Sequence, residues 1–188
     1  LLQSTVKTRR KRKILDFDTE CRPLTYLGND FTTSEITAIA ASFGPDQQVH
    51  CWLLGLDGPQ WMLEEFTWLY DQADYVTGHY IRKHDLPKIN GALAEYGLPP
   101  LKPKMTIDTY LDLRKISGIS RSQESLCEML GIKEPKIGMS QVKWRAANRL
   151  DNIELTRTRV IGDVRQHQQL RVKLSELGWL NQPKPWRG

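Results

Sequence analysis

The chain has 188 residues, of which 39% are hydrophobic and 26% charged, enough to bury one core without disulfides or a structural metal, so a single globular domain is expected. No apolar run approaches the roughly 20 residues that cross a bilayer, no signal peptide opens the chain, and three widely spaced cysteines without a Cys-x-x-Cys pair, Cys21, Cys51 and Cys127, read as reduced thiols of a cytoplasmic protein, not a disulfide framework or a zinc site. The net charge of +5 is unevenly distributed, because residues 1–13 hold Lys7, Arg9, Arg10, Lys11, Arg12 and Lys13 and no acid, which leaves the rest of the chain at −1.

In chain order, residues 1–12 form a basic arm, expected to be flexible, that either contacts phosphates nonspecifically or is a solvated tail. Lys13 to Glu20, KILDFDTE, has strand composition, and Arg22-Pro23 is expected to end it. Glu35 to Phe43 and Gln48 to Gly55 are further strands, joined by the turn chemistry of Gly44-Pro45-Asp46. The three form an antiparallel meander. Pro59 to Ala73 reads as a helix with Pro59 in its first turn, and Trp61, Phe66, Trp68 and Leu69 read as core rather than as a base-stacking platform. Asp74 to His79 is a short fourth strand, Asp85 to about Tyr96 a helix, Met105 to Asp108 a fifth strand and Thr109 to Lys115 a helix. Ser122 to Leu130 is a capped helix stopped by Gly131, residues 131–150 are irregular and basic, and the longest helix runs from about Asp151 or Asn152 to Gly178. The pattern predicts an α/β fold: a mixed sheet, with strands one to three antiparallel and the others parallel, and helices on both faces. The domain spans 13–178, and the proline-rich residues 179–188 read as a tail.

Asp18 and Glu20 lie two residues apart on the first strand and therefore share a face. Two acids held that close raise each other's pKa unless a cation lies between them. An isolated Asp-x-Glu is usually a solvated strand end, so the other acids decide its meaning. Asp85 follows YVTGH on a loop that opens a helix, and Asp163 lies in VIGDV within the last helix, flanked by Val160 and Val164. A carboxylate on the packing side of a helix costs several kcal/mol to bury unless it is paired or metal-bound. Four carboxylates thus come from three elements.

These residues resemble the DEDD 3′-to-5′ exonucleases of the ribonuclease H-like superfamily. Asp18 and Glu20 in DFDTE match the first motif, Asp85 in TGHYIRKHDLP the second, and Asp163 in GDV the third. The resemblance covers roughly residues 13–177. It implies two Mg2+ or Mn2+ ions held by Asp18, Glu20, Asp85 and Asp163, nucleic acid as partner, and release of nucleoside 5′-monophosphates from a 3′ end. One departure concerns proton transfer. The family carries a histidine five residues, or a tyrosine four residues, before the last aspartate, where this chain has Thr158 and Arg159, and arginine stays charged. His167, one turn after Asp163, is the candidate substitute base beside the reading of an ordinary structural histidine. Lys143, Trp144, Arg145 and Arg159 belong to a segment with a local excess of +4 across residues 133–159 and are candidate substrate contacts, Trp144 by stacking on a base. Two other readings stay open: a noncatalytic nucleic-acid-binding module on the same fold, and an endonuclease of ribonuclease H or resolvase type.

Overall fold

The computed structural model of the chain describes residues 10–23, 34–133, 142, 152–180 and 182–188. In order they form β1 (Ile14–Pro23), β2 (Ser34–Ser42), β3 (His50–Leu53), α1 (Leu54–Asp57), α2 (Pro59–Gln72), β4 (Tyr75–Gly78), α3 (Asp85–Glu95), β5 (Lys104–Asp108), α4 (Gln123–Met129), α5 (Ile153–Glu176) and β6 (Lys184–Trp186). The strands make one sheet in the order β3-β2-β1-β4-β5-β6. The expected meander is there, with β1–β2 and β2–β3 antiparallel, and β4 and β5 add in parallel.

Alternation along β1 sorts its side chains onto two faces. Leu15 and Phe17 point into the larger core, where α2 and α3 contribute Phe66, Leu69, Leu86 and Ile89. Asp16, Asp18 and Glu20 point the other way, toward α5. Opposite them on β2 lie Ser42, Ala40 and Ala38, and the two alanines pack with Val160 and Val164 of α5. Small residues on the sheet let the helix come close. Each buried valine contributes about 1.5–3 kcal/mol, which offsets part of the cost of holding acids between helix and sheet. The register shifts between Glu20 and Cys21, and this bulge puts Ile36 on the same face as Ile39, in the larger core. Paired to β2, β1 continues through Arg22 and Pro23, beyond its expected end.

Three further expectations change in the folded chain. Residues 109–115 are a run of turns, not a helix. The buried Asp108 carboxylate accepts from the backbone N–H groups of Tyr110 (3.0 Å) and Leu111 (2.9 Å), a local alternative to helical bonding. The proline-rich end expected as a tail contains β6, which pairs antiparallel with β5. Pro185 cannot donate to a ladder, yet an edge strand tolerates it, and Trp186 anchors the strand in the larger core. On α2 the residues expected as core divide: Phe66 and Leu69 are buried, whereas Trp61 and Trp68 are 54% and 62% exposed. The last residues of the basic arm meet the body through an Arg10–Asp74 ion pair of 3.2 Å and Arg12 stacked 5.0 Å from the Tyr75 ring centre.

Candidate metal centre

Helix α5 runs across β1 so that its residue numbers rise as those of the strand fall. Four helical residues rise about 6.0 Å and two strand residues about 6.7 Å, so successive turns meet successive acids. Arg159 Nε donates to Glu20 Oε1 at 2.6 Å. One turn on, Asp163 faces Asp18. Beyond that, His167 Nδ1 and Arg171 both meet Asp16: the imidazole N–H at 3.0 Å and the guanidinium through two bonds of 2.9 and 2.8 Å. The outer rungs join cation or N–H donor to acid. The middle rung joins acid to acid.

Asp18, Glu20 and Asp163 bring carboxylate oxygens within 4.8 Å of one another. Asp18 is half-buried, and Glu20 and Asp163 are buried. Burial, followed by the charges of Asp163, Asp85 and Glu20, pushes the Asp18 carboxyl well above the usual carboxylate range, and Arg159 only partly opposes this. Glu20 is also raised, chiefly by burial, although Arg159 pulls it down through its charge and hydrogen bond. The donor set is all oxygen, anionic and crowded, which suits a hard divalent cation and not zinc. Asp85, the first residue of α3 and 2% exposed, accepts a hydrogen bond from the Thr19 hydroxyl and lies 3.5 Å from His84 Nδ1. Its oxygens stand outside the group of three, yet its charge is felt by both Asp18 and Glu20.

An open cleft of about 520 Å³ lies against Asp18 and Asp163, walled by His79, Tyr80 and Tyr110 and by Ser122, Gln123 and Glu124 at the start of α4. Tyr80 and Tyr110 meet edge to face at 4.9 Å between ring centres, and Arg121 stacks 5.0 Å from the Tyr110 ring. Tyr80 has a φ of +68°, unusual for a bulky side chain and costing about 1–3 kcal/mol. Its backbone is held there by Asp108, which accepts from the N–H groups of Tyr80 and Arg82 at 3.0 Å each. Arg82 in turn pairs with Asp112 through bonds of 2.8 and 2.9 Å. Gly78, at the end of β4, has no room for a side chain: a Cβ there would meet the Phe17 carbonyl oxygen at 2.8 Å and Ile81 Cγ2 at 2.3 Å. That close approach puts the Tyr80 loop beside Asp18.

The fold therefore brings Asp18, Glu20 and Asp163 together, with Asp85 at their edge and Arg159 bonded into the group. His167 is only 2% exposed and tied to Asp16, and it is His79 that lines the cleft. His79 Nδ1 lies 2.9 Å from the Thr109 hydroxyl. Lys143, Trp144 and Arg145 lie outside the described residues. Sequence reasoning missed three buried acids: Asp108 and Asp112, which hold the Tyr80 side of the cleft, and Asp16, which pairs with α5. Asp16 alone carried a signal, since it begins the i, i+2, i+4 acidic stripe of β1.

None of the three cysteines is in a disulfide, and burial pushes the Cys21 and Cys51 thiols up to about 12 and about 11. Among the described residues, no helix is long and apolar enough to cross a membrane.

No family model matches the chain, and no curated protein does. Solved structures do match it. One is the family B DNA polymerase from the hyperthermophilic archaeon Pyrobaculum calidifontis, at a TM-score of 0.69 and 17% identity over 88% of this chain. The chain spans 25% of that polymerase's length. With its six-stranded mixed sheet and helices on both faces, the chain has the ribonuclease H-like α/β fold.

Proposed function

We propose that the protein is a 3′-to-5′ exonuclease that hydrolyses phosphodiester bonds of DNA or RNA with Mg2+ or Mn2+ held by Asp18, Glu20, Asp85 and Asp163. The observation that carries this reading is the middle rung between β1 and α5, where Asp18 meets Asp163 and, with Glu20 beside them, three carboxylates crowd within 4.8 Å while the neighbouring acid, Asp16, has its own protein partners. Crowding of this kind is stable at neutral pH when a cation joins it. A divalent ion bound there supplies a water of lowered pKa and charge stabilisation for the phosphate under attack.

The chain's own residues provide the setting. The cleft beside Asp18 and Asp163 is large enough to receive a nucleotide end, and the aromatic wall of Tyr80 and Tyr110 suits a base by stacking. Arg159, with its planar fork, suits a phosphate. His167 takes a positioning role in this reading, because its Nδ1 donates to Asp16 and the cleft is lined instead by His79. The likeness to a DNA polymerase supports nucleic acid as the partner.

The test uses a single-stranded oligonucleotide labelled at its 3′ end. Mononucleotide release that needs Mg2+ or Mn2+, stops with EDTA and falls about 100-fold or more in Asp18→Asn is the expected result. Release that survives either treatment overturns the reading. A second reading, a binding module without chemistry, draws on Arg159 at the position where the resembling family carries its base; retention of oligonucleotide with no release in either metal would favour it. Cleavage of circular substrate would instead assign an endonuclease.

A further inference from the structure

Arg10, Lys11, Arg12 and Lys13 are consecutive exposed cations, and they are fastened to the body of the protein. Asp74 does the fastening. Its carboxylate accepts from the Lys13 backbone N–H at 2.7 Å and from the Arg10 guanidinium at 3.2 and 3.3 Å. The Lys13 carbonyl oxygen accepts in return from the N–H groups of Asp74 and Tyr75 at 2.9 and 3.2 Å, and Arg12 lies over the Tyr75 ring. The exposed ion pair contributes little alone, but the backbone bonds fix the path of the chain and so the origin of each cationic side chain.

Two clefts open along this path. One, of about 550 Å³, is lined by Arg10, Lys11, Arg12, Ile14 and Gln182. The other, of about 580 Å³, shares Lys11, Arg12 and Ile14, adds Lys13, and reaches the turn at residues 44–47 and Arg171 of α5. That turn is clamped as well: Arg165 of α5 donates to the carbonyl oxygens of Gly44 at 3.4 Å, Pro45 at 2.7 Å and Gln47 at 2.7 Å. Arg171 is committed to Asp16, so the arm supplies the charge that a ligand would meet. Among the described residues lining the two clefts, Asp46 is the one acid.

Cations spaced along a fixed backbone beside concave walls suit the phosphates of a strand, which can lie in a cleft that a flat bilayer surface does not enter. Stacking on Tyr75 uses the face of Arg12, and its N–H donors lie in the guanidinium plane, where a phosphate oxygen accepts. The clefts lie at the start of β1, about 13 Å of strand from Asp18. From this arrangement we infer that the arm and the 44–47 turn form a second nucleic-acid site, which holds backbone phosphates away from the end being cut. The inference rests on the nucleic-acid partner proposed above and does not depend on the metal.

The test reads binding, not cleavage. A fluorescein-labelled single strand of 20 nucleotides is titrated by anisotropy in EDTA at several salt concentrations. Wild type is expected to bind, and the triple variant Lys11→Gln, Arg12→Gln, Lys13→Gln to bind at least tenfold more weakly at 0.1 M salt, with a salt slope lower by about two. Asp74→Ala separates a built site from loose charge. It removes a negative charge, which alone would tighten binding, but it also releases the arm, and binding at least threefold weaker is expected. Circular dichroism checks that both variants fold. A triple variant within threefold of wild type, or an Asp74→Ala that binds as tightly as wild type or more so, overturns the inference. Binding to anionic phosphatidylserine vesicles in place of the strand also overturns it, as does strand binding that appears only in Mg2+, in the uncut Asp18→Asn variant; in that last case the nucleic-acid reading stands. No binding by wild type in EDTA or by Asp18→Asn in Mg2+ removes the nucleic-acid reading, and this inference with it.

Discussion

Asp16 and Asp18 sit two residues apart on the same face of one strand, under the same helix, and their surroundings differ sharply. Asp16 is wholly buried and answered by three protein hydrogen bonds, from His167 and twice from Arg171. Burial pushes its carboxyl upward, but these donors and the Arg171 charge outweigh burial, and the net effect is a carboxyl held below its ordinary value. Asp18 is answered by Asp163, and its carboxyl is driven the other way. A protein can hold an acid inside by supplying the counter-charge itself, as at Asp16, or by leaving it to a ligand, as we propose at Asp18. One turn of helix separates the two solutions. Helix α5 offers both because residues four apart share a face and need not share a charge.

This contrast predicts opposite responses to the same kind of substitution. Asp16→Ala removes the partner of a buried guanidinium, Arg171, which is 9% exposed, and is expected to cost about 3–5 kcal/mol of stability, measured by urea denaturation. A loss below about 1 kcal/mol would mean that the outer and middle rungs of the ladder are not different in kind. Asp18→Asn, which ends activity in the proposed function, is expected to leave the metal-free protein unchanged or to stabilise it by about 1–2 kcal/mol, because it relieves repulsion among acids. Destabilisation of the metal-free form by that amount would break the comparison from the other side.

Asp112 sharpens it, as a paired acid remote from the ladder. Burial raises its carboxyl, but hydrogen bonds from Arg82 and Lys184, then the Asp108 N–H and the Arg82 charge, outweigh burial and lower it overall. A carboxyl lowered on folding adds stability above its unfolded value of about 3.9, and that stability is lost as pH falls through the lower folded value. The expected outcome is an Asp112→Asn variant less stable than wild type at pH 7, with the gap closing as pH falls below about 4 in denaturation series. A gap that stays constant with pH would show that charge at Asp112 contributes nothing. The effect is the smallest of the three, since the residue's partner Lys184 is half exposed.

Much of this arrangement was legible beforehand, for reasons that can be named. Strand composition and turn chemistry gave β1, β2 and the meander, and a proline at the first turn gave α2. The acidic pair of β1 followed from strand geometry alone. Residues 109–115 were misread because helix composition competes there with one buried aspartate side chain, Asp108, whose bonds to two backbone N–H groups no local pattern reveals. The proline-rich end was misread because β6 exists only when β5 offers an edge.

By itself, the sequence determined which residues could carry chemistry: a stripe of acids on a strand, an aspartate opening a helix, another inside the last helix, and an arginine four residues before it. Only the tertiary structure decided which of them meet. It brought Asp163 to Asp18, gave Arg159 to Glu20, and closed His167 and Arg171 over Asp16. The reason is physical: the order of acids along a chain is local, but their partners come from crossing α5 over β1, and that crossing is set by how closely Val160 and Val164 pack on Ala38 and Ala40.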